Sequence, residues 1–480
     1  MKVKREQWET NFSEWFRNVI SRSEYYDYRY PVKGTGVWRP LGMRLRRNIL
    51  NIMRRLLEDT GHDEVLFPTL IPETLIRRES EHIKKFEEEI FWVTRGGKES
   101  LTSRLALRPT SETAIMEMFR LWIHAHTDLP VKIYQVVSVF RCETKATAPL
   151  IRVREISTFK EAHTAHKTRE EAEQQVKDAI KIYKKFFDDL CIPYLISLRP
   201  EWDKFAGAVY TIAFDTILPD GKTLQIGTVH YLGTNFSQVF EVTYLTPEGK
   251  HEYVHTTSYG ISERVVAAII SVHGDDHGIV LPPNVAPIQV VIIPIIYGDG
   301  EEILKACRDI YEKMKKKGYS VVLDDRSDIT PGEKYYYWEL RGVPLRIEVG
   351  PRDLKEDTVT IVKRDTLERT TIPKNEITVF IETEFENIKR RLKERAWKWF
   401  NSRVTRSRNI SDATRLLDEK KGIVEVPWCG GKKCGLQIEE RTNSNILGYD
   451  IDPNLSDATG EKCVNCGGEA KYWTRVSKRY

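Results

Sequence analysis

The chain of 480 residues is too long for one ordinary domain of roughly 150 residues, and we expect about three domains. Its 75 basic and 70 acidic side chains leave a formal net charge of only +5. This mild excess excludes a uniformly basic exterior, so any nucleic-acid-binding surface must be a local patch. Hydrophobic residues at 40% and charged residues at 30% exclude disorder as the main state of the chain.

Neither a secretory signal nor a membrane span is indicated. The N-terminal segment is basic, but no apolar run follows it. The most apolar stretch, residues 288–296, is much shorter than the roughly 20 residues that cross a bilayer. We therefore expect a cytoplasmic protein without membrane contact.

The first half of the chain mixes helices with antiparallel strands. Hydrophobic periodicity predicts amphipathic helices over residues 5–20 and 41–57. The aromatic segment between them, with Gly34 and Gly36, is interpreted either as a loop lining a site or as a solvated turn. Further along, the sequence predicts a short strand at GHDEVLFPTLIP, an antiparallel hairpin over 131–159, a charged helix over 168–190 and a glycine-opened helix over 260–272. This order is typical of an α+β domain.

The pattern changes after LPPNVAP, a proline-rich linker over residues 281–287. Strands and helices then alternate as in an α/β domain, over 288–296, 301–317, 319–324, 332–341 and 343–349. A basic helix, NIKRRLKERAWKWF, leads to a cysteine-bearing end. We accordingly predict three domains, at residues 1–283, 284–385 and 386–480.

Four of the seven cysteines crowd into the last part of the chain. They form two pairs, Cys429 with Cys434 and Cys463 with Cys466, and glycines accompany each pair. Paired thiolates at this spacing are typical ligands of tetrahedral zinc. Because all four positions are thiolates, no open position remains for a substrate, and the sequence predicts a structural metal site.

Arginine and glutamate side chains surround the predicted hairpin. Arg141 and Glu143 are expected at the end of its first strand, two residues apart and therefore on one face. The returning strand brings Arg152 and Arg154 nearby. A guanidinium in this position can bind a carboxylate or a phosphate through two parallel hydrogen bonds. By itself the pattern is equally typical of a structural ladder between strands.

Further polar groups favour a binding site. They are Thr110, Ser111 and Glu112 in LRPTSE, Glu161 with His163, the segment QIGTVH at 225–230, and Arg264. Arg264 lies in GISERVVAAII, a predicted helix that is otherwise mostly apolar. A buried arginine there requires an anionic partner.

These segments, in this order, resemble the motifs of class II aminoacyl-tRNA synthetases, and more closely those of archaeal and eukaryotic-type prolyl-tRNA synthetases. GHDEVLFPTL resembles motif 1, with Pro68 at the dimer interface; VFRCE with RVRE resembles motif 2; GISERVVAAII resembles motif 3. LRPTSE resembles the loop that holds the prolyl imino group, and PLRIEVGPRDL resembles the anticodon-binding signature. The paired-cysteine tail also occurs in this branch. The resemblance implies an antiparallel-sheet catalytic domain, an α/β anticodon-binding domain and a small zinc-binding C-terminal domain.

Carried over residue by residue, the resemblance implies a role for each polar group. As catalytic residues, Arg141 would bridge the substrate carboxylate and the α-phosphate of ATP, and Arg264 would bind the γ-phosphate. Glu143 would bind the adenine amino group. The other nucleotide contacts would be Arg152, Gln225, Thr228 and Ser262. The proline site would consist of Thr110 and Glu112 at the ring nitrogen, with Phe159, His163 and His230 closing the pocket.

The resemblance also implies the ligands and the reaction. ATP with Mg²⁺, proline and tRNA(Pro) would be the substrates, Zn²⁺ would be structural, and the chain would form a homodimer. The substrate carboxylate itself attacks the α-phosphate, so the protein needs no nucleophilic serine or cysteine. The prolyl group would then pass to the 3′ hydroxyl of the terminal tRNA ribose.

Three assignments have a second interpretation. The spacing from Arg152 to Phe159 is one residue longer than in the family, so either a bulge lies between them or Phe159 is not the pocket residue. His230 also fits a purely structural histidine. Arg346, Glu348 and Arg352 would read anticodon bases, but Arg346 and Glu348 also fit a ladder within a sheet.

Specific sequence features distinguish the prolyl-type resemblance from other class II synthetases and from a catalytically silent relative. A threonyl enzyme would place a zinc site with one cysteine and two histidines in the catalytic half, and Cys142 lacks such neighbours in sequence; histidyl and glycyl enzymes would not combine LRPTSE with this tail. A catalytically silent, RNA-binding relative would have no reason to retain Arg141, Glu143, Gln225 and Arg264 together. Segment 164–259 is too short for the editing domain that bacterial-type enzymes carry there. We therefore expect misactivation of cysteine and alanine.

Overall fold

A computed structural model describes residue 8 and residues 10–78, 87–296, 300–419 and 421–480. The first residues of the helix predicted over 5–20 lie outside these ranges, and the described part forms a helix at Phe12–Arg22. Among the helices in these ranges, none has the length and apolar character that crossing a membrane requires.

The first part of the chain is a mixture of antiparallel strands and helices. Its helices are Phe12–Arg22 (α1), Pro40–Glu58 (α2), Glu73–Arg78 (α3), Glu112–Trp122 (α4), Arg169–Asp189 (α5), Asn235–Phe240 (α6) and Arg264–His273 (α7). Its strands are Tyr26–Asp27 (β1), Val37–Trp38 (β2), Asp63–Glu64 (β3), Leu70–Pro72 (β4), Trp92–Gly96 (β5), Glu99–Leu107 (β6), Val131–Phe140 (β7), Glu155–His166 (β8), Leu195–Leu198 (β9), Tyr210–Ile217 (β10), Thr223–Gly233 (β11), Thr243–Leu245 (β12), His251–Tyr253 (β13) and His255–Ile261 (β14). The predicted α+β character is confirmed.

Local sequence accounts for the start of the longest of these helices. The Thr168 hydroxyl accepts a hydrogen bond of 3.3 Å from the Glu171 amide, and acidic residues occupy the first turn of α5. One face of α5 packs with α1 and α7 into a single core against the central sheet. That core leaves the opposite face of the sheet available for a binding site.

Two predicted boundaries are wrong. Gly260 lies within β14, where it pairs with Glu161 of β8 and Thr228 of β11, and α7 begins only at Arg264. The neighbouring strands satisfy the backbone of Gly260, and this tertiary pairing is invisible in a run of small residues. Arg141 and Glu143 lie beyond the end of β7, in the segment 141–154 that joins it to β8.

The loop with Gly34 and Gly36 packs on that joining segment. The Gly34 carbonyl accepts a hydrogen bond of 2.7 Å from the Arg154 amide. The loop therefore supports the segment that carries Arg141 and Glu143, and it is more than a solvated turn.

The second part alternates strands and helices as predicted. Its strands are Val290–Pro294 (β15), Val321–Leu323 (β16), Leu345–Val349 (β17), Thr358–Lys363 (β18) and Arg369–Pro373 (β19), and its helices are Glu301–Lys316 (α8), Pro331–Leu340 (α9), Pro351–Glu356 (α10) and Ile377–Asn401 (α11). β15 is parallel to β16 and β17, and β18 and β19 extend the sheet antiparallel. The predicted basic helix is the last part of α11.

The C-terminal part continues the sheet of the first part. It contains Val404–Arg406 (β20), Ile423–Trp428 (β21), Asn445–Asp450 (β22) and Tyr472–Ser477 (β23), with helices Ile410–Glu419 (α12), Lys432–Thr442 (α13) and Pro453–Ser456 (α14). The central sheet has eleven strands in the order β20-β21-β23-β22-β9-β10-β11-β14-β8-β7-β3. At the junction, Tyr449 and Asp450 pair with Leu198 and Ser197.

Glycine is required at this junction. Gly448 has φ of +98°, and a Cβ at this position would overlap the Leu198 carbonyl. The close approach brings the C-terminal strands into the same sheet as the strands that carry the polar groups of the first part.

Candidate active site

Two adjoining cavities open on the central sheet. The first, of about 140 Å³, is lined by the predicted residues Arg141, Glu143, Arg152, Phe159, Gln225, Thr228, Ser262 and Arg264. The second, of about 230 Å³, is lined by Thr110, Glu112, Arg141, Phe159, His163, Gln225, Thr228 and His230. The structure thus brings together the residues predicted for the nucleotide and those predicted for the amino acid. Arg141, Phe159, Gln225 and Thr228 face both cavities.

A β-bulge places Phe159 at both cavities. The register of β7 and β8 changes between Val137, which pairs with Phe159, and Val139, which pairs with Ile156. Strand β8 therefore carries one extra residue, which accounts for the unusual spacing between Arg152 and Phe159.

Three side chains that the sequence interpretation missed hold this bulge. Trp38 Nε1 donates a hydrogen bond of 2.8 Å to Ser157 Oγ, and Arg46 donates to the Ser157 carbonyl at 2.9 Å. Glu263 Oε2 accepts one of 3.1 Å from the Thr158 amide. Only the position of Glu263, directly before Arg264, was a usable sequence signal.

The first cavity is lined by three arginines, Arg141, Arg152 and Arg264, together with Glu143 and Glu263. Arg264 Nε donates a hydrogen bond of 2.9 Å to the Ile151 carbonyl. Burial, with the nearby charges of Arg141 and Arg152, lowers the pKa of Arg264 to about 10, so this side chain stays charged at neutral pH. Arg141 Nε donates a hydrogen bond of 3.1 Å to the Pro109 carbonyl at the boundary of the two cavities. Such a group of guanidinium ions fits a polyphosphate.

The second cavity contains a buried carboxylate that faces small polar groups. Glu112 accepts hydrogen bonds from the Thr110 hydroxyl and, at 3.3 Å, from Ser258 Oγ. Glu112 is the first residue of α4, and this position brings its side chain back toward the sheet. A buried anionic group that faces a cavity fits a substrate ammonium ion.

Two histidines form another wall of the second cavity. His163 Nε2 lies 3.2 Å from Glu161 Oε2, and Gln135 Nε2 donates 2.9 Å to the other oxygen of that carboxylate. His230 Nδ1 lies 2.9 Å from Thr211 Oγ1. Burial, followed by the charge of His163, lowers the pKa of His230 to about 3, so His230 is neutral at neutral pH.

The last residues of the chain reach the same region. Arg479 forms two hydrogen bonds to the Asp203 carboxylate, at 2.6 and 3.0 Å, and Asp203 lines the second cavity. Tyr480 donates 2.6 Å to Asp220. No sequence signal indicated these contacts, because they join parts of the chain that are far apart in sequence.

The four predicted cysteine ligands converge in the C-terminal part. The Sγ atoms of Cys429, Cys434, Cys463 and Cys466 all lie within 4.8 Å of one another. Four sulfur atoms at such separations fit a tetrahedral ion with metal–sulfur bonds of about 2.3 Å. Within the described ranges, this is the one group of potential ligands that meets such a criterion.

The three predicted tRNA-binding residues have different surroundings. Arg346 and Glu348 are buried and form an ion pair of 2.9 Å, and Arg346 also pairs with Glu339 at 2.7 Å. These contacts favour the ladder interpretation for both residues, and their contact with tRNA stays a prediction. The Arg352 side chain is 86% exposed and forms an ion pair within its own helix, with Glu356.

Comparison with known families defines the class of this fold. Residues 91–273 match the tRNA synthetase class II core domain (G, H, P, S and T). Residues 289–384 match an anticodon-binding domain, and residues 410–480 match the C-terminal domain of prolyl-tRNA synthetase. The fold is that of a class II aminoacyl-tRNA synthetase.

Individual relatives narrow the class to one family. The proline–tRNA ligases of Sulfurisphaera tokodaii and Ignicoccus hospitalis are 53% and 54% identical to the chain over 484 residues, with full coverage of both partners. Giardia lamblia prolyl-tRNA synthetase, solved in complex with prolyl-adenylate, superimposes with a TM-score of 0.95 at 38% identity, covering 100% of this chain and 99% of that one. The Cryptosporidium parvum enzyme, complexed with halofuginone and AMPPNP, gives 0.94 at 35% identity and 98% coverage of each. The chain belongs to the prolyl-tRNA synthetase family.

Proposed function

We propose that the chain activates proline with ATP to prolyl-adenylate and transfers the prolyl group to the 3′ end of tRNA(Pro). The observation that carries this proposal is the pair of adjoining cavities that share Arg141. One is lined by three arginines and suits a polyphosphate, and the other contains the Glu112 carboxylate. The adenylate complex of the Giardia lamblia relative supports the proposal.

The first step requires alignment and charge stabilisation. Arg141, between the cavities, holds the substrate carboxylate next to the α-phosphate and stabilises the charge that develops on it. The carboxylate oxygen forms a bond to phosphorus while the bond to pyrophosphate breaks. Arg264 binds the departing phosphates, with Arg152 beside it. Magnesium that enters with ATP would neutralise further phosphate charge. Glu143 accepts from the adenine amino group, and Gln225, Thr228 and Ser262 contact the nucleotide.

The second cavity selects the amino acid. Thr110 and Glu112 receive the ring nitrogen of proline, which is a secondary ammonium ion before reaction. Phe159, His163 and neutral His230 enclose the apolar ring. In the second step, the 3′ hydroxyl of the terminal tRNA ribose attacks the activated carbonyl carbon, and AMP leaves.

ATP–pyrophosphate exchange with each amino acid in turn tests this function. Proline should support exchange with the highest kcat/KM, because the pocket combines the Glu112 carboxylate with the rings of Phe159 and His230. Exchange driven best by threonine, histidine or glycine would assign the chain to another specificity. No exchange with any amino acid would favour the catalytically silent, RNA-binding alternative.

We further propose a cytoplasmic homodimer with domain boundaries near residues 283 and 385. Exposed apolar side chains support the dimer, since Leu66 is 80% exposed and Leu70, Leu121 and Trp122 are exposed near it in sequence or on α4. Leu66 adjoins Pro68 in the motif-1-like segment. Light scattering of the purified protein should give twice the chain mass, and a monomer would contradict the dimer.

The cysteine cluster is proposed to hold one structural zinc ion. Cys429→Ser should remove the zinc and lower the melting temperature of the C-terminal part more than that of the catalytic part, since the ion links two separate turns. Metal analysis and differential scanning calorimetry measure both effects. Cys307→Ser, a buried cysteine outside the cluster, is the matched control and should keep one zinc per chain. Full zinc occupancy in Cys429→Ser would refute the four-thiolate site.

Arg352 is proposed to contact the anticodon. Arg352→Ala should raise the KM for tRNA by about fivefold or more, because one arginine–base contact contributes about 1–3 kcal/mol. Amino-acid activation should stay unchanged. Arg308→Ala, on the exposed side of α8 in the same part of the chain, is the matched control. An unchanged KM for tRNA in Arg352→Ala would contradict the proposed contact and would favour the ladder interpretation of Arg346 and Glu348.

Discrimination against smaller amino acids is proposed to rest on the pocket alone. Every residue of the segment 164–259 is described, and its main elements are α5, α6 and strands β9 to β14, nearly all of them part of the central fold. A missing methylene in an apolar pocket is worth only about 1–3 kcal/mol. Cysteine should therefore be activated measurably, alanine less efficiently, and alanyl-tRNA(Pro) should not be hydrolysed.

Pyrophosphate exchange and deacylation assays check this expectation. An Arg141→Ala preparation, purified identically, shows whether a contaminating enzyme causes the cysteine signal. Rapid deacylation of alanyl-tRNA(Pro) by the chain alone would reveal an editing site and contradict the proposal.

A further inference from the structure

One buried arginine joins the nucleotide cavity to the C-terminal strands. Arg199, which follows β9, donates a hydrogen bond of 2.7 Å to the Asp215 carboxylate of β10 and one of 3.1 Å to the side-chain oxygen of Gln225. Its other terminal nitrogen donates 2.8 Å to the Leu447 carbonyl of β22. The side chains of Arg199 and Asp215 are 1% and 0% exposed, so this pair is shielded from water.

The contact with Arg199 fixes the orientation of the Gln225 amide. A guanidinium has only donors, whereas a glutamine amide has one oxygen acceptor and one NH₂ donor. Because the oxygen of Gln225 accepts from Arg199, its NH₂ group is left to face the two cavities that this residue lines. Gln225 therefore offers a donor to the phosphate, ribose or base acceptors of a nucleotide.

The position of Arg199 depends in turn on the C-terminal strands. The Leu447 carbonyl adjoins Gly448, where β22 approaches the Leu198 carbonyl closely. Asp203, 3.6 Å from Arg199 Nε, is held by Arg479 near the end of the chain. The guanidinium is thus held on one side by the catalytic strands and on the other by the C-terminal part.

We propose that Arg199 is a positioning residue, which orients the Gln225 amide for ATP while the Leu447 carbonyl of β22 holds the guanidinium in place. This inference rests on the proposed contact between Gln225 and the nucleotide. Arg199 does not line either cavity itself, so it acts on the nucleotide through Gln225, which lines both.

Arg475 provides a matched control. It is a buried arginine at the same junction, where it donates hydrogen bonds of 2.6 Å to the Ile196 carbonyl and 2.8 Å to Ser197 Oγ. Its neighbours do not line either cavity. Arg475→Lys should therefore lower the melting temperature without changing the affinity for the nucleotide.

The experiment combines a double-mutant cycle with direct binding. Calorimetry gives the Kd for AMPPNP, and pyrophosphate exchange gives KM and kcat, for Arg199→Lys, Gln225→Ala, the double variant and Arg475→Lys. Arg199→Lys should raise the Kd for AMPPNP about tenfold, since a lysine cannot reproduce the forked contacts of arginine. The KM for proline should change less. In the Gln225→Ala background, the same substitution should have no further effect on nucleotide affinity.

Each outcome decides the proposal. The proposal is overturned by any of three results. These are an unchanged Kd for AMPPNP in Arg199→Lys, additive effects of the two substitutions in the double variant, and a loss of AMPPNP affinity in Arg475→Lys as large as that in Arg199→Lys. An unchanged Kd in Gln225→Ala would overturn it together with the assigned role of Gln225. If Arg199→Lys does not fold, Asp215→Asn takes its place because it weakens the same guanidinium contact. Asp215→Asn should raise the Kd for AMPPNP, and it should have no further effect in the Gln225→Ala background. Absence of proline-dependent exchange in the wild type would refute the proposed function, whereas AMPPNP binding would still test Arg199.

Discussion

Arg141→Ala is expected to lower the rate of prolyl-adenylate formation by about 10²–10³-fold or more, with the fold and the dimer intact. Within the described part of the chain, Arg141 is the one charged residue that faces both cavities. Removing a single preorganised donor from a developing charge costs about 2.7–4 kcal/mol in the transition state, which corresponds to this loss of rate. Single-turnover measurement of adenylate, with circular dichroism as a check on folding, gives the result.

The matched control is Arg154→Ala. Arg154 lies on the same segment as Arg141 but donates to the Glu143 carbonyl, and it is not among the cavity residues. Its removal should loosen the segment and reduce the rate much less than the removal of Arg141. Near-normal adenylate formation in Arg141→Ala would remove the central assignment of the site.

Glu112→Gln is expected to raise the KM for proline by about 30-fold or more while the KM for ATP changes little. Glu112 is a buried carboxylate, and its substitution leaves the substrate ammonium ion without its counter-charge. Truncating one partner of a buried charge pair costs about 2–5 kcal/mol. Steady-state pyrophosphate exchange, with each substrate varied in turn, separates the two constants.

Glu117→Gln on the same helix is the control for this effect. Glu117 pairs with Arg78 and Arg120, away from the cavities, so its substitution should leave both constants unchanged. A KM for ATP that rises as much as the KM for proline in Glu112→Gln would place this carboxylate near the nucleotide and contradict the proline assignment.

Most of the site could be predicted because each of its parts lies in a short, distinctive segment. LRPTSE, VFRCE, QIGTVH and GISERV each carry their polar residues within a few positions, and the antiparallel pairing of β8, β11 and β14 brings them together. The bulge in β8 was also indicated by the spacing from Arg152 to Phe159, which is one residue longer than in the family. The resemblance of these segments to family motifs, together with their order along the chain, was sufficient to predict these features.

The contacts that support the site could not be predicted in the same way. Arg199, Glu263 and Arg479 act through partners that are distant in sequence or on another strand, and no local pattern distinguishes them from ordinary charged residues. The pairing of β22 with β9, which extends the central sheet into the C-terminal part, also depends on tertiary contact alone. The same limit explains the misplaced start of α7, since the strand at Gly260 exists because two neighbours pair with it.

The structure of the enzyme after incubation with ATP, magnesium and proline tests the account most directly. It should contain prolyl-adenylate across the two cavities, with the ring nitrogen next to Thr110 and Glu112, the α-phosphate at Arg141, and the adenine amino group at Glu143. Adenylate with its ring outside the Glu112 cavity, or with its phosphate away from Arg141, would contradict the account.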